Sequence, residues 1–350
     1  MLKPILNEEQ VALVNQWLQK AQNFVLCAHM SPDGDAIGSC LGLADFLKNR
    51  GKDVTVIMPN QFPDFLHWME GSEFILLANK QPDKVKEVLS RADVMCCLDF
   101  NDLSRLEECG DLVAANAQHA EFWLIDHHLN PGDFCKVSVS HPEASSTCEL
   151  VFRIIWQLGG FEQMTFGAAE ALYCGMCTDT GGFTYNSNNP DIFLIISYLL
   201  QKGIDKDVIY RRIYNNYSAD RVKLMGFVLY EKLQVLEDFH ASFFTLTRQE
   251  LRRFRFIKGD AEGLVNIPLT IKGMRLSISL REDTEKDRIL VSLRSVDDFP
   301  CNKMAEEFFN GGGHLNAAGG RLECSMEEAI SVARQAIYRY EPLLLGKKSY

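Results

Sequence analysis

Three short apolar runs each stop abruptly at an imidazole or a carboxylate, and this pattern constrains the fold more than any other feature. Phe24–Ala28 is followed by His29, Val94–Leu98 by Asp99, and Phe122–Ile125 by Asp126-His127-His128. Runs this short, bounded by polar residues, read as buried strands rather than helices. Val54–Met58 reads the same way, and Ala36–Arg50 before it has apolar positions at helical spacing, with Asp35 placed to cap that helix and Gly51 to end it. Strand, helix, strand is a βαβ unit, which implies parallel strands with a right-handed crossover. With a further helical pattern at Val11–Gln22, the first part of the chain is expected to be an α/β parallel sheet.

After Thr147 the chain turns helical, at Glu149–Leu158, Gly167–Cys177 and Ile192–Lys202. From about Val235 the pattern changes again. His240–Thr247, Leu264–Leu269, Arg275–Arg281 and Arg288–Arg294 read as strands, and Lys303–Phe309 and Met326–Glu341 as helices, which describes a smaller α+β unit. The expected organisation is therefore an N-terminal domain at 1–190, a helical linker at 191–234 and a C-terminal domain at 235–350.

The 36 Lys and Arg residues against 47 Asp and Glu give a net charge of −11. Such a chain is ill suited to gripping long duplex DNA through its phosphates. A short anionic substrate remains accessible if cations and a few placed arginines reverse the sign locally. The eleven cysteines are odd in number and several lie in apolar runs, as Cys96-Cys97 does, which fits reduced thiols and a cytoplasmic location. Met1–Trp17 has no signal-peptide core, and the most apolar stretch, Ile192–Leu200, is too short to span a bilayer, so no membrane association is expected. The oligomeric state stays open, a homodimer included.

In open α/β sheets ligands bind beyond the carboxyl ends of the strands. His29, Asp33 and Asp35 lie in the loop and helix start after the first run, Asp99 after the second, Asp126, His127 and His128 after the third, and Asp179 after the apolar Ala171–Cys177. Each group has an ordinary explanation as a turn, a cap or a surface residue. If the strands are parallel neighbours, the side chains converge on one sheet edge. His29, Asp33, Asp35, Asp99, His127 and Asp179 then make about the set that two divalent ions need, with one carboxylate shared. Imidazole with carboxylate suits Mn²⁺ or Mg²⁺ better than a thiolate metal.

Taken together, His29…Pro32-Asp33-Gly34-Asp35-Ala36…Gly38-Ser39, Asp99, Asp126-His127-His128 and Asp179-Thr180-Gly181 resemble the motifs of the DHH phosphoesterases, in family order. Gly311-Gly312-Gly313-His314, followed by Asn316-Ala317-Ala318-Gly319, resembles the associated DHHA1 domain. The resemblance covers most of the chain. It implies that His29, Asp33 and Asp99 hold one ion, and that Asp35, Asp99, His127 and Asp179 hold a second, with Asp99 bridging. The ions would be Mn²⁺, with Mg²⁺ or Co²⁺ as alternatives. His128 resembles the general acid, with Asp126 orienting a histidine, and Arg294, Gly311, Gly312, Gly313 and His314 resemble contacts to substrate phosphate. The implied reaction is in-line attack of an activated water on phosphorus.

Family substrates range from pyrophosphate and polyphosphate to long single strands, very short RNAs, nucleotide 3′-phosphates and dinucleotides. The Ser-Arg-Lys-Lys type ending of the pyrophosphatase branch is absent, and the length leaves no room for the extra domain of the long-strand exonucleases. The chain is most similar to the branch that degrades very short single-stranded RNA and removes the 3′-phosphate of pAp. The alternatives are an inorganic pyrophosphatase or polyphosphatase, a hydrolase of linear or cyclic dinucleotides, and a non-catalytic nucleotide sensor. A sensor would be expected to have lost a ligand.

Weaker features have simpler readings. Ser146 to Glu149 fits a capping box. Cys174 and Cys177 lack a second pair and read as buried thiols on one helix face rather than a zinc site. Leu251–Lys258 interleaves basic and aromatic residues and reads as an edge strand with a solvated face. His67, His119, His141 and His240 fall outside any motif.

Overall fold

The computed structural model describes residues 2–257 and 259–346. Lys258, at the end of the basic-aromatic run, and the last four residues of the expected C-terminal tail lie outside the described residues. The chain divides into two compact units, one running through Asn216 and the other beginning at Tyr217.

In the first unit the apolar runs form strands β1 (Asn23–Cys27), β2 (Asp53–Met58), β4 (Val94–Leu98) and β5 (Glu121–Asp126), joined by two short strands, β3 (Leu76–Leu77) and β6 (Val137–Ser140). All pairings are parallel, in the order β3-β2-β1-β4-β5-β6. Because β1 lies beside β4, the chain leaves the two strands in opposite directions across the sheet. The two loops that follow them open a crevice at their carboxyl ends, the usual ligand position in such sheets.

Among the described residues eight helices cover this sheet: α1 (Glu8–Lys20), α2 (Gly34–Lys48), α3 (Pro82–Leu89), α4 (Glu108–Asn116), α5 (Thr147–Gln157), α6 (Phe166–Asp179), α7 (Pro190–Gln201) and α8 (Lys206–Tyr214). Of the stretch 191–234, α7 and α8 place Ile192, Ile195, Leu199, Ile209 and Ile213 in the core of this first unit. α2 ends as its sequence suggests. Gly51 sits at φ +72 and donates to the Lys48 carbonyl, while Lys52 donates to Leu47, a Schellman arrangement. The cap at its start is Asp33 rather than Asp35. Asp33 Oδ1 accepts from the amides of Asp35 and Ala36 at 3.0 and 3.1 Å, whereas the Asp35 side chain is drawn inward to α5.

α2 offers α6 a glycine at three successive turns, so that α6 backbone or side chains fill the space a Cβ would take. A Cβ at Gly34 would lie 2.5 Å from Thr178 Oγ1, one at Gly38 2.4 Å from the Ala171 carbonyl oxygen, and one at Gly42 2.5 Å from Leu172. This close approach brings Asp35, at the start of α2, toward Asp179, at the end of α6.

The second unit carries helix α9 (Ala219–Phe227) and a mixed sheet of β7 (Gln234–Leu236), β8 (Ala241–Leu246), β9 (Leu276–Glu282), β10 (Ile289–Ser295), β11 (Gly312–His314) and β12 (Ala317–Leu322), in the order β11-β12-β10-β9-β8-β7. Helices α10 (Arg248–Arg253), α11 (Cys301–Phe308), α12 (Met326–Arg339) and α13 (Glu341–Leu344) complete it. Two expectations are corrected. Leu264–Leu269 is not a strand; Leu264–Thr270 is a 3₁₀ helix that follows Gly263 at φ +74, and Pro268 has no N–H to give a ladder. Arg248–Arg253 is helical where the sequence suggests an edge strand from Leu251 onward. A capping box between Thr247 and Glu250 nucleates the turn, and Leu251 is buried against Leu224, Phe244 and Leu264.

All eleven cysteines are free, with Cys174 and Cys177 both buried on α6. Among the described residues no helix is long and apolar enough to cross a membrane.

Candidate metal centre

The carboxyl ends of β1, β4 and β5 deliver His29, Asp99 and Asp126-His127-His128 to one crevice, and α2 and α6 add Asp33, Asp35 and Asp179. Asp99 ends β4 in a left-handed turn at φ +62, a conformation Asp tolerates better than most residues, and its amide still donates to Ile125 on β5 at 3.1 Å. The carboxylate therefore stands at the sheet edge between two histidines. Asp99 Oδ2 lies 3.4 Å from His29 Nε2, and Oδ1 lies 3.6 Å from His127 Nε2. His29 Nε2 is also 4.0 Å from Asp33 Oδ2, and His127 Nε2 is 3.2 Å from Asp179 Oδ2 and 4.0 Å from Asp35 Oδ2.

Two sets of ligand atoms emerge, each gathered within 4.8 Å: His29, Asp33 and Asp99 in one, and Asp35, His127 and Asp179 in the other. Either could hold a metal ion. Asp99, Asp126 and His128 are similarly close, but His128 Nδ1 and Asp126 Oδ1 are only 2.7 Å apart, a direct hydrogen bond rather than two ligands around an ion. Asp126 is fully buried, and its Oδ2 has no hydrogen-bond partner among the described residues. Its charge is thus directed at His128. The Asp126 contact favours the tautomer in which Nδ1 donates to the carboxylate.

The electrostatics fit a cation. Burial, and then the neighbouring Asp179, push the Asp35 carboxyl up to about 7. Burial, followed by Asp35 and Asp33, raises Asp99 well above the carboxylate range. For His127 burial acts downward but is outweighed by the hydrogen bond and charge of Asp179, with Asp99 and Asp35 adding, so its pKa is raised. The buried carboxylates of Asp35 and Asp99, with those of Asp33 and Asp179 and the imidazoles of His29 and His127, are oxygen and nitrogen donors, which is the donor set of a hard or borderline divalent ion.

A stability prediction follows from these directions. Asp35 and Asp99 bind more protons folded than unfolded above about pH 4, so without metal their contribution to stability falls as pH rises toward 7. His127 contributes fully below its ordinary pKa, and that contribution is lost as pH rises through its raised value. All three effects act in the same direction, and a bound cation would replace the protons. The rise in melting temperature on adding excess Mn²⁺ to metal-stripped protein is expected to grow steadily between about pH 5.5 and 7.5. A rise that does not change with pH, measured by differential scanning calorimetry, would contradict this account.

In the second unit the edge strand β11 carries Gly312, Gly313 and His314. Gly313 lies at φ +145, and a Cβ at Gly311 would fall 1.8 Å from the Gly319 carbonyl oxygen, so glycine is required where these strands meet. Arg294 on β10 and His314 on β11 both stand opposite Ala317 of β12. Directly opposed residues share a face, so Arg294 and His314 project on the same side, about 10 Å apart across two strand spacings.

Sequence reading misses the part played by α5. Thr147 and Cys148 donate their amides to Asp35 at 2.6 and 2.8 Å, and the Thr147 hydroxyl donates to Asp99 at 3.1 Å. In the sequence, Ser145-Ser146-Thr147 resembles a family segment near the site, but helix capping alone is enough to explain it. Ser146 does accept from the Glu149 amide at 3.1 Å, although Glu149 returns to Ser145 instead of Ser146.

Residues 23–176 match the DHH family, N-terminal domain, and residues 243–339 match the DHHA1 domain. A protein of Thermus thermophilus named bifunctional oligoribonuclease and PAP phosphatase NrnA is 28% identical over 331 residues, 94% of each chain. The Bacillus subtilis protein of that name is 26% identical, over 85% of this chain and 88% of that one. The crystal structure of an exopolyphosphatase-related protein from Bacteroides fragilis is 52% identical and covers 99% of this chain and 100% of that one, with a TM-score of 0.94. With both domains matched in order and a near-superposable relative at this identity, the chain belongs to the DHH phosphoesterase family, with a DHHA1 domain as its second part.

Proposed function

We propose that this chain is a two-metal phosphoesterase that degrades very short single-stranded oligoribonucleotides to mononucleotides and removes the 3′-phosphate of pAp. The observation that carries the two-ion reading is the division of Asp99, one oxygen facing His29 and the other facing His127. His29, Asp33 and Asp99 would hold one ion, and Asp35, Asp99, His127 and Asp179 the other, with Mn²⁺ as the proposed metal. Two such ions supply charge neutralisation at phosphorus and lower the pKa of the attacking water. His128, held at Nδ1 by Asp126, would deliver a proton from Nε2 to the leaving oxygen. Arg294, His314 and the amides of Gly311–Gly313 would bind substrate phosphate in the second unit. The substrate assignment is supported by the names of the two NrnA relatives, which the chain matches along most of its length.

A second reading, hydrolysis of inorganic polyphosphate, is favoured by the 52% identity to the exopolyphosphatase-related protein of Bacteroides fragilis. One assay panel separates them: Mn²⁺-dependent hydrolysis of 5′-labelled RNAs of two to five residues beside a much longer strand, with pAp, pyrophosphate and polyphosphate in parallel. Consumption of the short RNAs and pAp, with the long strand spared, is the expected result. Release of phosphate from the inorganic chains alone would replace the first reading with the second.

A further inference from the structure

The orientation of Asp99 needs an explanation that its own geometry does not supply. The terminal torsion of an Asp side chain is broad, with no sharp staggered wells, so the carboxylate plane is free unless a neighbour fixes it. For Asp99 that plane decides whether one oxygen is offered to each side or both are turned the same way. The Thr147 hydroxyl donates to Oδ1 at 3.1 Å, the same oxygen that faces His127 at 3.6 Å, and leaves Oδ2 toward His29. Thr147 has no exposed surface and Asp99 almost none, so water does not compete for this bond.

Thr147 is itself firmly held. Its β-branched side chain has few rotamers, and its amide is fixed on Asp35 Oδ2 at 2.6 Å. The turn before it is locked by the buried Glu149, whose Oε2 accepts from the Ser145 amide and hydroxyl at 2.8 and 2.7 Å. The Glu149 Oε1 pairs with Arg153, which reaches Asp191 on α7 at 3.1 Å. The first residue of α5 thus touches one carboxylate from each ligand set: Asp35 through its backbone and Asp99 through its side chain.

We propose that Thr147 is a positioning residue that sets the plane of the Asp99 carboxylate, so that a single Asp serves two ion sites at once. The proposal rests on the two-ion reading above. It is tested by calorimetric titration of Mn²⁺ into metal-stripped full-length protein, for the native chain, Thr147→Val and Thr147→Ser. Valine keeps the branch and the amide and replaces the hydroxyl with a methyl group; Thr147→Ala serves in its place if the valine variant melts early. Two binding events are expected in the native protein. One of them should weaken about 10- to 100-fold in Thr147→Val and return to near native strength in Thr147→Ser. At saturating Mn²⁺, kcat on a dinucleotide should fall in Thr147→Val while KM stays within about twofold, since substrate binding is not touched. Two undiminished binding events in Thr147→Val would overturn the role of Thr147 and leave the two-ion reading standing. A single event in the native protein would remove the two-ion reading and this inference with it.

Discussion

Asp99→Asn is expected to lower turnover of every phosphoester substrate by at least about 10³-fold, some 4 kcal/mol of transition-state stabilisation, while making the metal-free protein more stable. The two effects have one cause. Asp99 is buried, and without a metal ion its charged form is disfavoured first by that burial and then by Asp35 and Asp33, with Asp179 adding and His127 acting against them. Asparagine keeps the shape and can still accept from Thr147 through its carbonyl, but it removes that charge. Its amide group can donate to the His29 nitrogen, now 3.4 Å from Oδ2. The same change leaves any shared ion without its bridging carboxylate. Melting curves without metal and steady-state rates with Mn²⁺ test both halves. A variant that loses activity and also loses metal-free stability would show that Asp99 is chiefly a structural residue.

His128→Ala should reduce kcat on short RNA by about 10²- to 10⁴-fold with Mn²⁺ affinity retained. Here the leaving group gives the sharper test. A ribose oxygen departs poorly without a proton, whereas a nitrophenolate needs none. The loss on a nitrophenyl phosphodiester should therefore be much smaller than the loss on a dinucleotide. Equal losses on both substrates would point to a phosphate contact rather than a proton donor. Asp126→Asn should act in the same direction, because it weakens the 2.7 Å bond that holds Nδ1 of His128.

Much of the centre is legible in the sequence because parallel strands present their carboxyl ends on one edge. An apolar run that stops at His29, Asp99 or Asp126 marks that edge without any knowledge of strand order. The order itself leaves no local trace. β1 and β4 are neighbours because of a crossover, and that adjacency places His29 beside Asp99. The resemblance puts the Ser145-Ser146-Thr147 segment near the site, but the contacts of Thr147 are not legible because its partners, Asp35 and Asp99, lie 112 and 48 residues away. Other misreadings have signals in plain view. Pro268 argues against a strand at Leu264–Leu269, and Thr247-Arg-Gln-Glu250 is a capping box ahead of α10. β11 and β12 cannot be found by alternation, since Gly311–Gly313 and Ala317–Gly320 offer no apolar period. Their pairing instead depends on backbone approaching backbone where no side chain intervenes.

The glycine seam between α2 and α6 also bears on which ions the centre accepts. With no α2 side chain at Gly34, Gly38 and Gly42, α6 packs directly against the α2 backbone through Thr178, Ala171 and Leu172, and the two helices form a stiff caliper with Asp35 and Asp179 as its jaws. Asp33 lies outside the seam: its Oδ1 is held by the cap contacts, but its side chain is half exposed and its Oδ2 is the oxygen that faces His29. Ca²⁺, with oxygen ligands at about 2.3–2.6 Å and a wish for six to eight of them, would need the jaws to spread, whereas ions near about 2.1 Å would not. If the proposed ions bind at these sites, discrimination by size is expected to come from a seam of residues that never meet the ion, with the His127 side the more exacting of the two.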